Sequence, residues 1–296
     1  MAQIRADNRE NYVILLDLLA KANDSVKGLS ISDISERERL LDAHRLANKF
    51  IGHALTVLNL SRGYKVEELP SFQPVNFTDS WSIDVLTRAA MEAFLIFHYV
   101  FYAPTTIEDK DYRYLTYKVA GLAERQNLPE SISEHKHQKT EEKKVLEKFR
   151  TTLESNAVFQ SLTAKQQEKI FSGKGKWRWD PSCSKESSWR DIAIHAGFSN
   201  MLASHMYSHL SGYAHSSHTS VLQVSQALEN KDVDMLVKPS MNTINILMAN
   251  MIHEYCVLFP EAKVVLEQSG ASEFVDMWIQ IGRRLVEHMG IRSENN

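Results

Sequence analysis

WSIDVLTRAAMEAFLIFHYVFY, residues 81–102, is the stretch that decides the fold of this chain. A helix built from it has apolar side chains on nearly every side, which is typical of a helix at the centre of a bundle. The stretch is long enough to cross a membrane, but it also carries four ionisable side chains. These are Asp84, Arg88, Glu92 and His98. We therefore expect a buried helix of a soluble protein and no membrane partner.

Glycine and proline are scarce in the rest of the chain, with 11 glycines and 7 prolines among 296 residues. Long segments contain neither, and the alternating apolar and polar pattern of strands is rare. A second very apolar segment, residues 241–259, follows Pro239, which we expect to begin its helix. The sequence therefore predicts an all-α protein, a multi-helix bundle with residues 81–102 and 241–259 inside.

Two amphipathic helical segments precede a linker that contains Pro70 and Pro74. They predict an N-terminal helical hairpin in residues 1–66, packed on a main bundle domain in residues 77–296. Within that domain, residues 131–155 form a charged arm, which is either a solvated helix or partly mobile.

The charge and cysteine content exclude some classes of protein. The formal net charge is −3, so the whole chain has no electrostatic attraction to nucleic acid or to a membrane surface. Only Cys183 and Cys256 are present, which argues against a disulfide framework. The first ten residues lack the apolar core of a signal peptide. We expect a cytoplasmic protein.

Arg88 and Glu92 are four residues apart and share one face of the most apolar helix. A charge inside a bundle needs a partner, because burying it alone is costly. The simplest interpretation is an ion pair between the two residues or with a neighbouring helix. The functional alternative is a polar pocket in which Arg88 clamps an anion and Glu92 acts as a base or ligand.

Tyr207, Ser211 and His215 follow one another at intervals of four residues and form one stripe of a helix. A serine and a histidine four apart can meet as nucleophile and base, but the chain lacks the G-x-S-x-G elbow. The simplest interpretation is a hydrogen-bonded polar stripe inside the bundle. We expect a polar pocket between this stripe and the face that carries Arg88 and Glu92.

Histidines are concentrated in one part of the chain. Five of the twelve lie in one helical region: His195, His205, His209, His215 and His218. His205 and His209 are four apart, a spacing that suits a metal such as zinc, although many such pairs are only solvated. We assign no metal ligand and expect no cofactor. A metal-dependent enzyme that uses the His205–His218 cluster is kept as the second alternative.

An irregular loop at residues 172–188 contains the sequence GKGKWRWD. Its cations are Lys174, Lys176 and Arg178, which alternate with Trp177 and Trp179. Cations next to aromatic rings can hold phosphates and stack bases, so these residues are candidate RNA-binding groups. The alternative is a surface loop whose tryptophans pack inward. The loop lacks the GxxxxGK[ST] pattern of a Walker phosphate loop.

Arg190 and His195 occur in the sequence RDIAIH. This motif, with polar Asp191 after the arginine, resembles the Arg-x4-6-His motif of small helical ribonucleases of the HEPN type. The resemblance implies metal-independent RNA cleavage, often across a homodimer. His195 or His215 would then be the acid/base, and Arg190 or Arg88 would stabilise the phosphate charge. Two further Arg-x4-His pairs occur in the chain, so the spacing alone is not distinctive.

A second resemblance rests on a sparse pattern. The pattern is Arg88-x3-Glu92, followed much later by Tyr207-x3-Ser211-x3-His215. It resembles a bacterial helical family catalogued as domain of unknown function 5677, and the similarity would cover about Asp79 to His218, roughly half of the chain. The resemblance implies an all-helical, cytoplasmic, prokaryotic protein and no particular activity.

The preferred hypothesis is a non-catalytic helical protein of a bacterial stress or defence system, which senses a ligand or binds a partner. Its polar pocket would bind a small molecule or a partner helix. The alternative is a HEPN-like endoribonuclease that acts on RNA as a toxin or antiphage effector. Whether the protein is an enzyme is left open, because no motif decides it.

Overall fold

Helices dominate the structure, a computed structural model. It describes residues 8–28, 33–63, 78–129, 133–180, 183, 185–230 and 232–284. Within these ranges there are 13 α-helices and no strand, apart from an isolated β-bridge between Trp179 and Glu186. The predicted all-α, multi-helix fold is confirmed.

The described residues form two compact units. One contains the chain up to Phe97 and from Ala193 onward, and the other contains His98–Ile192. The first unit contains α1 (Asn8–Asp24), α2 (Ile34–Ser61), α3 (Ser80–Phe97), α9 (Asn200–Ala214), α10 (His218–Glu229), α11 (Asp234–Leu258), α12 (Pro260–Ser269) and α13 (Ser272–Arg284). The second contains α4 (Ile107–Gln126), α5 (Ser133–Glu154), α6 (Ala157–Gln160) and α7 (Ala164–Phe171). The boundary between the units falls within α8 (Trp189–His195).

In the first unit, α3 packs against α2, α9 and α11. The apolar face of α3 is therefore covered by three helices, which explains why its sequence is apolar nearly all round. Residues Ser80–Tyr102 are long and apolar enough to span a membrane by length and composition, and 61% of their most apolar window is buried. The α-helix ends at Phe97, and the chain continues as a π-helix over His98–Tyr102.

The N-terminal helices α1 and α2 contact each other. The hydroxyl of Tyr12 on α1 donates a hydrogen bond to the carbonyl of Ala54 on α2 at 2.7 Å. Asp33 caps α2, because its side chain accepts a hydrogen bond from the backbone N–H of Glu36 at 2.9 Å. The predicted boundary between the hairpin and the main domain, at residues 67–76, lies outside the described residues.

The prediction that Pro239 begins a helix is wrong. The helix α11 starts at Asp234, and Pro239 lies inside it. Proline has no N–H to donate to the carbonyl four residues earlier, so one helical hydrogen bond is missing. The remainder of α11 is buried along most of its length against α1, α3 and α13, and this packing outweighs the local loss.

In the second unit, α4 packs on α5. A core cluster joins Tyr112, Val119, Leu153, Phe159, Leu162, Ile170 and Trp179. Leu153 is a residue of α5, so the described part of the predicted charged arm is a helix with one apolar side in this core. Its charged side chains are mostly exposed on the opposite side.

Candidate functional site

Four predicted site residues meet where α3 packs on α9. Arg88 donates from Nε to Oε1 of Glu92 at 3.1 Å and from Nη1 to Oγ of Ser211 at 2.8 Å. Its guanidinium lies over the ring of Tyr207, with Cζ 5.2 Å from the ring centroid. We call Arg88, Glu92, Tyr207 and Ser211 the Arg88 cluster.

Helical spacing explains how the Arg88 cluster forms. Residues four apart lie on the same side of a helix, one turn from each other. Arg88 and Glu92 are such a pair on α3, and Tyr207 and Ser211 are such a pair on α9. Packing of the two helices therefore places the pairs opposite each other, and the ion pair and the cross-helix hydrogen bond form together.

The Arg88 cluster is half-buried and partly open to solvent. The side chains of Arg88 and Glu92 are 17% and 32% exposed. A guanidinium has five N–H groups, and the cluster uses two of them. In the described part of the chain, Nη2 of Arg88 has no hydrogen-bond partner, and it is not sealed from solvent. Arg88 is thus held in place while part of its positive charge stays available.

Asp84 lies one turn before Arg88 on α3 and was not among the predicted site residues. It is fully buried, and Oδ1 accepts a hydrogen bond from the hydroxyl of Ser240 on α11. Its Oδ2 is buried without a hydrogen-bond partner among the residues that the structure describes. Burial raises the pKa of Asp84 to about 7, against the opposing effect of the Ser240 hydrogen bond.

The charge on Asp84 also affects the pKa of Tyr213 on α9. Burial first, and then the charge on Asp84, raise the pKa of the Tyr213 hydroxyl. That hydroxyl donates a hydrogen bond to Oε1 of Gln223 on α10 at 2.9 Å. A sequence signal for Asp84 did exist, because it is an acidic residue four positions before Arg88 in an apolar helix. The Ser240 partner had no such signal.

His215 lies at the C-terminal end of α9 and is exposed. Its backbone N–H donates to the carbonyl of Ser211 at 3.0 Å, so it follows the Arg88 cluster by one helical turn. Arg190 and His195 are exposed residues of α8. The catalytic roles considered for these three residues stay predictions.

His205 and His209 stack on α9, with ring centroids 5.7 Å apart and an interplanar angle of 12°; His205 is exposed and His209 is half-buried. Burial, and then the charge of His205, lower the pKa of His209. The described residues contain no group of three or more His, Cys, Asp or Glu side chains placed to hold a metal ion.

The tryptophans of the basic loop point into the second unit. Trp177 is 7% exposed, and its ring packs against Tyr99 and Tyr117, with centroid distances of 5.7 and 5.2 Å. Trp179 is buried in the core cluster of this unit. This geometry fits the alternative stated for the loop, in which the tryptophans pack inward, and it leaves neither ring free to stack a base.

The cations of the same loop differ in their partners. Lys176 and Arg178 both pair with Glu186, at 3.0 and 3.4 Å. The guanidinium of Arg178 also lies over Trp189, with Cζ 4.3 Å from the ring centroid. Lys174 is exposed. Lys176 is exposed as well, and binding of phosphates by this loop stays a prediction.

A family model matches residues 76–232, which is more than half of the chain. That family is described as a family of unknown function, DUF5677. The chain belongs to this family. The match confirms the resemblance noted in the sequence, and it includes the Arg88 cluster and His215 but not α11, which supplies Ser240. No curated protein and no solved structure matches this DUF5677 chain.

Proposed function

We propose that the protein is a non-catalytic, ligand-sensing helical protein in which the Arg88 cluster binds an anionic group of a small molecule. The observation that carries this proposal is that the Arg88 side chain is held in place while one of its nitrogens makes no hydrogen bond within the part of the chain that the structure describes. Its guanidinium is fixed by Glu92 and Ser211 on two helices, yet Nη2 has no hydrogen-bond partner among the described residues, and the side chain is 17% exposed. The setting we propose is a bacterial stress or defence system in the cytoplasm.

The physical chemistry of arginine supports an anionic ligand. A guanidinium is planar and always charged, and it binds carboxylate or phosphate through parallel N–H groups. Since Glu92 and Ser211 already fix the side chain, little conformational entropy is lost when an anion binds. The partial burial of Arg88 lowers the local dielectric and strengthens its attraction to an anion.

The test compares wild-type protein with Arg88→Gln, and uses Arg45→Gln as the matched control. Arg45 is also a helical arginine in an ion pair, with Asp42, but it is exposed. Native mass spectrometry after gentle purification should show a bound small molecule in the wild type and in Arg45→Gln, and none in Arg88→Gln. Inorganic phosphate or acetate should raise the unfolding temperature of the same two proteins more than that of Arg88→Gln. Identical behaviour of all three proteins in both assays would refute the proposal.

A metal-independent ribonuclease is the second candidate, and one observation favours it. His215 is exposed one turn beyond Ser211, the residue that accepts a hydrogen bond from Arg88. A histidine and an arginine close together can serve as acid/base and as stabiliser of the phosphate charge. RNA cleavage in the presence of a chelator, lost in His215→Ala and retained in His195→Ala, would establish this candidate. Absence of cleavage by the wild type would remove it.

A further inference from the structure

An open groove lies beside the N-terminal half of α3. Its volume is about 640 Å³, which is in the range of small-molecule sites. Side chains from α2, α3, α9 and α10 line it, among them Leu60, Trp81, Val85, Tyr213 and Val221. Most of its lining is apolar, so the groove suits the apolar part of a ligand rather than a free inorganic ion.

The wall of the groove on α3 leads directly to Arg88. Trp81, Val85, Arg88 and Glu92 follow each other at intervals of four, three and four residues, which places them along one side of the helix. Trp81 and Val85 are 37% and 45% exposed, although both are large apolar residues. An apolar surface and an available positive charge therefore lie in succession on the same side of α3.

The wall of the groove on α9 also leads to the Arg88 cluster. Ser211 and Ala214 are three residues apart on α9, and Ala214 lines the groove while Ser211 bonds to Arg88. Arg88 lies opposite Ser211, and Val85 lines the same groove as Ala214. Residue numbers therefore fall along α3 as they rise along α9, so the two helices run antiparallel. The groove and the Arg88 cluster are thus consecutive parts of one antiparallel α3–α9 seam.

The charges along α3 make one side of Arg88 more favourable for an anion than the other. Glu92 lies one turn C-terminal to Arg88, and its carboxylate repels an anion on that side. The groove lies on the N-terminal side, where Val85 and Trp81 carry no charge. Asp84, one turn before Arg88, is fully buried, and because burial raises its pKa to about 7 it carries only part of a negative charge at neutral pH. An anion bound to Nη2 is therefore favoured on the groove side of Arg88.

We infer that the groove and the Arg88 cluster form a single site for an amphipathic organic anion. The apolar body of this ligand lies against Trp81 and Val85, and its carboxylate, sulfonate or phosphate group accepts hydrogen bonds from Arg88. This inference rests on the proposed function and adds the chemical class of the ligand.

Two fluorescent probes that differ only by a charged group test the inference. One is 1-anilinonaphthalene-8-sulfonate, and the other is the uncharged N-phenyl-1-naphthylamine, which lacks the sulfonate. Arg88→Gln should weaken binding of the sulfonate probe at least about tenfold, which corresponds to about 1.4 kcal/mol, and leave the uncharged probe within about twofold. Val85→Asn should weaken both probes about fivefold, because it removes apolar contact surface from the groove.

The matched controls are Arg45→Gln for the charge and Val264→Asn for the apolar surface, since Val264 is similarly exposed on α12. Both controls should bind the two probes as the wild type does, and circular dichroism should confirm that every variant is folded. Equal sulfonate-probe affinity in Arg88→Gln and wild type, or in Val85→Asn and Val264→Asn, overturns the inference.

The probe assay is separable from the test of the proposed function. If acetate or phosphate stabilises the wild type but not Arg88→Gln, while Val85→Asn leaves the binding of both probes unchanged, the proposed function stands and the shared site is refuted. If Arg88→Gln changes neither anion stabilisation nor binding of the sulfonate probe, both are refuted.

Discussion

Replacement of Asp84 by asparagine should stabilise the protein at neutral and alkaline pH. Asp84 is fully buried, and burial raises its pKa from an ordinary value of 3.8 to about 7. Below pH 3.8 the carboxyl is protonated in both the folded and the unfolded chain, so its charge does not affect stability. Between pH 3.8 and 7 only the unfolded chain loses the proton, so the free energy of unfolding falls as the pH rises.

The magnitude follows from the rise in pKa. The folded value is higher by about three pH units, and each unit corresponds to about 1.4 kcal/mol, so the loss above pH 7 is about 4 kcal/mol. Asparagine has nearly the same shape, keeps a polar group for Ser240, and does not ionise. Among the residues that the structure describes, Oδ2 has no hydrogen-bond partner, and neither does the side-chain atom that replaces it. The two proteins should therefore differ little at pH 4 and most at pH 8.

Urea unfolding at pH 4, 5, 6, 7 and 8 measures this difference. The free energy of unfolding of Asp84→Asn relative to wild type should rise by about 1.4 kcal/mol per pH unit and level off near pH 7. Asp191→Asn is the control with the opposite sign, because hydrogen bonds from Ser188 lower the pKa of Asp191. That variant should be less stable than wild type at neutral pH, with the difference lost in acid. Parallel pH profiles for wild type and Asp84→Asn would refute the reasoning.

Three further predictions concern packing and protonation. Tyr12→Phe should lower the free energy of unfolding by about 1 kcal/mol in a urea titration, because it removes the buried hydrogen bond that the Tyr12 hydroxyl donates to the carbonyl of Ala54; an unchanged value would contradict this. Gly282→Ala on α13 should lower the free energy of unfolding by about 1–3 kcal/mol in the same assay, because the new Cβ would lie 2.7 Å from a methyl group of Ile246. An unchanged free energy would show that the Ile246 side chain moves aside. In an NMR titration, His209 should lose its proton below the ordinary pKa of 6.5, because burial and the neighbouring His205 oppose its charge; a midpoint at or above that value would count against the stacked arrangement.

The basic loop shows where a local pattern leaves two structures open. Alternating cations and tryptophans are equally compatible with a base-stacking surface and with inward-packed rings. In the structure, Tyr99 and Tyr117 supply the apolar surface that receives Trp177. Both tyrosines are more than 50 positions away in the chain, so the loop sequence by itself could not reveal this surface.

At Pro239, tertiary packing outweighs the local preference of proline for the first turn of a helix. A proline is a reasonable start for a helix, because its missing N–H costs nothing in the first turn. In α11 the helix nevertheless extends back to Asp234, because burial of the helix against its neighbours outweighs one missing hydrogen bond.

The sequence by itself determined the helical class and the side of each helix on which polar residues lie. Scarce glycine and proline permit long helices, and the helical period of 3.6 residues places Arg88 beside Glu92 and Tyr207 beside Ser211. Only the tertiary structure decided which of these sides meet. Asp84 and Ser240 are 156 positions apart, and Arg88 and Ser211 are 123 apart. Periodicity describes a single helix, whereas such pairings depend on how side chains of different helices fill the space between them, which no local pattern encodes.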